Sequence, residues 1–385
     1  WLWTGVAVAL WLGLIGLTVW RVRAAARKAA EQARALAEAA GEDAVLIAFA
    51  SQTGFGEELA WMTARALGDG GVGARITSFA DLDLETLKGA RRLLVIASTT
   101  GEGDAPDGAV RFARQVMKGE ADLSHLSYGL LALGDRSYDA YCSFGHAVGD
   151  WLDGCGAQTL FDRVEVDNGD AGAIRHWQHQ LNQITGSTSA PDWTPPAYDR
   201  WRLVERALLN AGSPGGEAWH LAFEPIDHAP DWAAGDIAEV GLPTRDGEQP
   251  ASREYSVASL PSDGRVEFCI RLMTRPDGTS GLASGWLTKD AQIGDEVAMR
   301  VRANRGFHAP PPEAPIILIG NGTGIAGLRG HLKARARQDK TGGAWLLFGE
   351  RTRAHDALYD ADLQAWLASG VLTRLDRSFS RDGGE

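Results

Sequence analysis

Residues 1–20 form an unbroken apolar run without a charged side chain, and between 21 and 34 five basic residues face a single acidic one. Twenty residues at a rise of 1.5 Å per residue span about 30 Å, the depth of a bilayer core. The pattern therefore predicts a transmembrane helix over 1–20, with Trp1, Trp3 and Trp20 near its ends. The basic flank predicts a single pass through the inner membrane, with everything that follows in the cytoplasm. Residues 21–42, alanine-rich with interspersed charge, read as a helical stalk or equally as an extension of the membrane helix. From 44 onward the pattern changes. Short apolar runs at 44–50, 92–97 and 128–133 each lead into a loop of Ser, Thr, Gly and Asp. Such runs predict buried parallel strands alternating with helices, the first helix over 58–67.

The stretch 186–199, rich in Gly, Ser, Thr and Pro, predicts a linker. Beyond it the apolar runs shorten and alternate with turns at 201–208, 218–225, 237–240 and 266–272, predicting an antiparallel barrel. The runs at 315–319 and 346–350 return to the buried parallel type. The fold class is α/β, with domains over 43–185, 200–312 and 313–385.

Composition sharpens this plan. The net charge of −12 excludes a nucleic-acid footprint, which would be basic. Three cysteines exclude a disulfide framework, and no spacing of His or Cys suggests a metal. His176 and His179, three apart on a predicted helix, read as surface residues. Residues 43–185 carry eleven basic and twenty acidic side chains. Glu102, Asp104, Asp107, Asp135 and Asp139 lie in the loops after the predicted strands, where they would attract a basic partner.

The loop Ser51-Gln52-Thr53-Gly54-Phe55-Gly56 between a strand and a helix offers hydroxyls, amides and a helix N-terminus to an anion. It lacks the Gly-Lys-Ser/Thr ending of a Walker loop and is not a dinucleotide GxGxxG, so it suits a monophosphate held without a metal. Two more loops follow successive strands, Ser98-Thr99-Thr100-Gly101 and Leu133 to Cys142. Parallel sheets bind ligands at this edge. Together these loops resemble the flavodoxin-like domain of the diflavin reductase family. The resemblance implies FMN, its phosphate held by residues 51–56. It places Ser98, Thr99, Thr100, Gly101, Leu133, Gly134, Asp135, Tyr138, Tyr141 and Cys142 around the ring, Tyr138 stacking on it. Phe55 departs from the small residue usual in the family, and Thr100 from the Tyr of many eukaryotic relatives.

In the second half, Arg253-Glu254-Tyr255-Ser256 and, 28 residues on, Gly281-Leu282-Ala283-Ser284 resemble the RxYS and GxxS motifs of ferredoxin–NADP reductase modules. This implies FAD, with Arg253 at the pyrophosphate, Tyr255 at the ring and Ser256 as the catalytic serine where hydride arrives. Cys269, Ile270 and Arg271 would lie beside the adenine half, and Gly281 to Ser284 at the phosphates. Gly320, Gly322, Thr323 and Gly324 resemble the family's glycine loop for the nicotinamide nucleotide, with Gly327 replacing its proline. Ser380 and Arg381 match the segment that reads a 2′-phosphate, implying NADPH. The resemblance also implies a further C-terminal segment, so the sequence reads as a fragment of a longer chain.

About 50 residues separate Trp201 from Arg253, where many relatives insert a helical region, so the minimal membrane-anchored bacterial type is the nearest match. The implied activity is electron transfer from NADPH through FAD and FMN to a one-electron acceptor, a haem protein or a sulfite reductase-like partner docked on the acidic FMN domain. Two alternatives are the cytoplasmic part of a membrane ferric reductase and a flavin carrier module without turnover.

Overall fold

Strands buried on both faces need apolar side chains at every position, and the first half of the chain supplies them. The computed structural model describes residues 44–136, 138–186, 193, 197–243, 251–275, 277–338 and 341–382. The expected membrane helix, the stalk and most of the linker lie outside the described residues. Within the described residues no helix is long and apolar enough to cross a membrane. The chain divides at 194/195, inside the expected linker, into two compact units.

The first unit is a parallel sheet of β1 (Val45–Ala50), β2 (Ala74–Ser78), β3 (Arg92–Ser98), β4 (Ser127–Gly134), β5 (Gln158–Thr159) and β6 (Val164–Asp167). Its order is β2-β1-β3-β4-β5, with β6 also on β4. This is the doubly wound arrangement in which the chain reverses direction beside β1. Helices α1 (Phe55–Asp69), α2 (Leu84–Lys88), α3 (Val110–Gln115), α4 (Ser143–Gly154) and α5 (Ala171–Thr185) connect the strands. Alternate strand residues feed two separate cores. Leu46, Val95, Phe112 and Phe144 pack in one, and Ile47, Leu94, Ile96 and Trp177 in the other. Inside the second core the Trp177 indole donates to the Thr63 hydroxyl at 3.0 Å, which ties α5 to α1 without an unpaired polar group. Asp170 caps α5 by accepting from the Ala173 amide at 2.7 Å.

α1 begins at Phe55, three residues before the expected start. Gly54, at φ 83°, makes the sharp entry that a side chain would resist. Phe55, Gly56 and Glu57 therefore lie in the first helical turn rather than in the loop.

The second unit begins with an antiparallel sheet of β7 (Asp199–Leu208), β8 (Ala218–Pro225), β9 (Ile237–Gly241), β10 (Ser252–Ser256), β11 (Val266–Arg271) and β12 (Glu296–Arg302). Its order is β10-β9-β12-β7-β8-β11. The ring of Tyr255 on one edge strand lies 5.5 Å from that of Phe268 on the other, so side chains join the two edges around a core of Trp201, Phe223, Val240 and Leu287. A parallel sheet follows, ordered β13 (Ile316–Asn321), β14 (Ala344–Glu350), β15 (Arg374–Phe379). Helices α6 (Ile325–Ala336) and α7 (Asp360–Ser369) accompany it. β13 runs two residues beyond the expected strand, through Gly320 and Asn321.

Candidate functional site

At the C-terminal edge of the first sheet, parallel register brings the expected loops together. The Ser51 hydroxyl accepts from the Gly56 amide at 3.1 Å, folding the loop back onto the helix start. A Cβ on Gly56 would sit 3.2 Å from the Ala50 carbonyl oxygen and 3.3 Å from the Ser98 hydroxyl, so the first two loops meet closely there. Gln52 spans them, donating to the Asp107 carboxylate at 3.0 Å and accepting from the Asp107 amide at 2.9 Å. The Thr99 hydroxyl accepts from the Phe144 amide at 3.2 Å, and the Thr99 amide donates to the Leu133 carbonyl at 3.0 Å. Gly103 packs on Ala140, closing the second loop on the third. A fourth loop, unmarked in the sequence, joins them: the Asn168 amide donates to the Gly134 carbonyl at 2.8 Å, and the Arg136 backbone amide donates to the Asp167 carboxylate at 3.0 Å.

The side chains divide into two groups. Ser51, Gln52, Thr53, Ser98, Thr99 and Thr100 are half-buried at the edge, and Gly101 and Tyr138 are exposed, Tyr138 at 52%. Leu133 and Cys142 point inward at 6% and 0%, so a ligand could meet only their backbone. Burial pushes the Cys142 thiol up to about 11, where it stays protonated and inert. Tyr141 is half-buried, with Arg136 4.9 Å above its ring and interacting with its hydroxyl. Glu57 and Glu58 in the first turn of α1 oppose a phosphate, so the loop amides and hydroxyls must outweigh them.

In the second unit β10 carries Arg253 and Ser256 half-buried, with Tyr255 between them. Burial pushes the Tyr255 hydroxyl up to about 12, keeping it neutral. The glycine loop Gly322–Gly324 leads into α6, which crosses directly behind Ser256. A Cβ on Gly327 would lie 3.6 Å from Ser256 and 2.9 Å from the Phe307 ring. The residue that departs from the family proline therefore leaves room for Phe307 beside the serine. Gly281 caps a single helical turn, Leu282–Gly285, packed on Met273, the Ser284 hydroxyl accepting from the Met273 amide at 3.1 Å. Ser284 is buried and Leu282 exposed.

The expected adenine strand is the last part of β11. Cys269 is 6% exposed and packs in the core shared with β13 and β14, and Ile270 lies in the barrel core. Arg271, at the end of the strand, is half-buried rather than enclosed in a core. Arg271 lines a cavity of about 470 Å³ with Asn321, Gly322, Thr323, Glu350 and Ser380. Of the expected nucleotide residues, Gly322, Thr323 and Ser380 line this cavity, whereas Gly324 and Arg381 do not. Arg351 and Ser378, unmarked in the sequence, also line it. Gly322, at φ 54°, turns the loop toward it. A pocket of donors between a glycine loop and parallel strand ends suits a phosphorylated nucleotide. His176 and His179 are exposed, and among the described residues no cluster could hold a metal.

Residues 47–177 match the flavodoxin family, and residues 318–375 match the oxidoreductase NAD-binding domain. Similar proteins include the sulfite reductase [NADPH] flavoprotein alpha-component of Vibrio cholerae, 26% identical over 88% of this chain and 75% of that protein. The protein of the same name in Vibrio parahaemolyticus is 26% identical over 95% and 78%. That of Bacillus subtilis is 25% identical over 93% and 79%. The first alignment spans 463 positions, more than the 385 residues here, so that relative carries inserted segments.

Proposed function

We propose that the chain is a diflavin reductase, an NADPH-dependent flavoprotein oxidoreductase, whose acceptor is a separate one-electron partner docked at the acidic loop edge of the first unit. The cofactors are FMN, FAD and NADPH, which supply hydride acceptance and stepwise electron release when bound. The chain's own residues bind, orient and screen. The hydroxyls and amides of 51–56 seat a phosphate, and the loops at 98–101 and 133–142 flank a ring. In the second unit Ser256 and Gly327 set the approach of nicotinamide to flavin, with Phe307 filling the adjoining space.

The observation that carries this reading is the junction of the RxYS strand with the nucleotide glycine helix on one chain with a flavodoxin-like loop edge. The acceptor side rests on exposed Glu102, Asp104, Asp107 and Asp139 around exposed Tyr138. The names of the relatives point to a sulfite reductase-type partner, and a haem protein fits the same charge. We further infer attachment to the inner membrane through residues 1–20, supported by their uncharged run and basic flank.

Purified full-length chain should release FMN and FAD in equal amounts on denaturation, and NADPH should bleach both flavin bands anaerobically. A single flavin, or bands that NADPH leaves unchanged, would sink the proposal. Association with a basic acceptor should slow several-fold between low and physiological salt.

A further inference from the structure

The nucleotide cavity holds an acid where an anion is expected to bind. Glu350 ends β14, and its side chain is only 3% exposed. It pairs with Arg271, which reaches across from β11 of the barrel and also donates to the Gly216 carbonyl at 2.6 Å. The second carboxylate oxygen accepts from the Arg351 amide at 2.9 Å. A Cβ on Gly322 would stand 3.4 Å from both the Arg271 guanidinium and the Glu350 carboxylate. The pair therefore lies against the glycine loop, where a pyrophosphate would come closest to the backbone. A guanidinium is a fork suited to a carboxylate or a phosphate. Here Nη2 goes to Glu350 and Nη1 to the Gly216 carbonyl, so a phosphate must displace one of them to gain the fork.

We propose that Glu350 is an affinity-setting positioning residue, whose carboxylate competes with the phosphates of the incoming nucleotide for Arg271. The competition weakens nucleotide binding and holds Arg271 in a geometry ready for exchange. Binding then replaces one charge-assisted pair by another, and the weakened affinity favours release of the spent nucleotide. This inference rests on the nicotinamide-nucleotide reading of the cavity.

The test compares full-length chain with Glu350→Gln and Arg271→Lys by calorimetry, using NADP⁺, ADP and adenosine as probes. Thermal melts and bound flavin content verify that each variant is folded. Gln keeps the size of Glu350 and its acceptor for the Arg351 amide while removing the charge. Glu350→Gln should bind NADP⁺ and ADP at least five-fold more tightly and leave adenosine, which has no phosphate, unchanged. Arg271→Lys should weaken ADP several-fold, again without effect on adenosine. A Glu350→Gln affinity for ADP equal to or below that of the parent would overturn the proposal, as would a parallel change for adenosine, the mark of an altered cavity shape or of a ribose contact. Failure of every form to bind NADP⁺ at millimolar concentration would instead overturn the nucleotide reading, and the inference with it.

Discussion

His331 shows what one buried side chain can do to the whole unit. It lies on α6 at 3% exposure, its ring 5.0 Å from that of Phe307, and its Nδ1 has no hydrogen-bond partner. Burial lowers its pKa from 6.5 to about 4, with His308 and Arg335 pushing the same way. In the folded protein it is neutral at pH 5, whereas in the unfolded chain it would be charged. A depressed folded pKa means that stability is complete above pH 6.5 and declines as the pH falls toward 4. The shift corresponds to roughly 3 kcal/mol. Urea midpoints at pH 7 and pH 4.5 should differ markedly for the parent and much less for His331→Leu. An equal acid loss in both proteins would assign the effect to other groups.

At the scale of elements the sequence reading held best where burial alone decides. The run at 92–97 became a strand within one residue of expectation, because a strand buried on both faces shows as a continuous apolar run; the runs at 218–225 and 346–350 also became strands within two residues, although neither is buried along its whole length. The loops at 51–56 and 98–101 were legible because Ser, Thr and Gly interrupt such runs. What escaped depends on neighbours in space. Asn321, Gly349 and Ser378 meet only through the parallel register of β13, β14 and β15, which pairs Asn321 with Gly349 and Gly349 with Ser378. Glu350 and Arg351 share their cavity with Arg271 from a strand about 80 residues earlier, and no local pattern marks that meeting. The start of α1 was misplaced because Gly56 looks like a loop residue, although its missing Cβ serves a close approach inside a helix. β13 also has an open outer face among the described residues, with Ile317 at 60% and Ile319 at 73% exposure beside a cavity of about 520 Å³ lined by Leu347. Exposed apolar faces of parallel sheets promote association. The double change Ile317→Thr, Ile319→Thr should lower dye binding and light scattering of this chain while altering stability by under about 1 kcal/mol. Unchanged scattering would show that the face is not the one that associates.

At the scale of the whole second unit, one buried charge network decides whether barrel and nucleotide half act together. Glu267 on β11 is 3% exposed and accepts from Arg329, from Lys333 at 3.1 Å and from Arg265 at 2.9 Å. Arg329, on α6, also binds Asp362 at 2.8 Å and the Ala258 carbonyl at 3.0 Å, and lies 4.7 Å over the Tyr359 ring. Lys333 and Arg337 continue to Asp263, at 2.8 and 2.5 Å. α6 starts from the glycine loop, so the network holds that loop at a fixed height above Ser256. Removing one member leaves a buried charge without its main partner, which typically costs about 3–5 kcal/mol, whereas an apolar replacement of both members can be nearly neutral. Arg329→Met should therefore destabilise the second unit by several kcal/mol in urea unfolding. The pair Arg329→Met, Glu267→Met should recover part of that loss, because the buried carboxylate is gone, while Lys333 and Arg265 keep Asp263 and Glu205 as partners. If the double variant is as unstable as the sum of the singles, the two residues contribute independently and the network is not the link. If instead stability returns while NADPH reduces FAD more slowly, the charges set the geometry of the junction and packing alone supplies the cohesion.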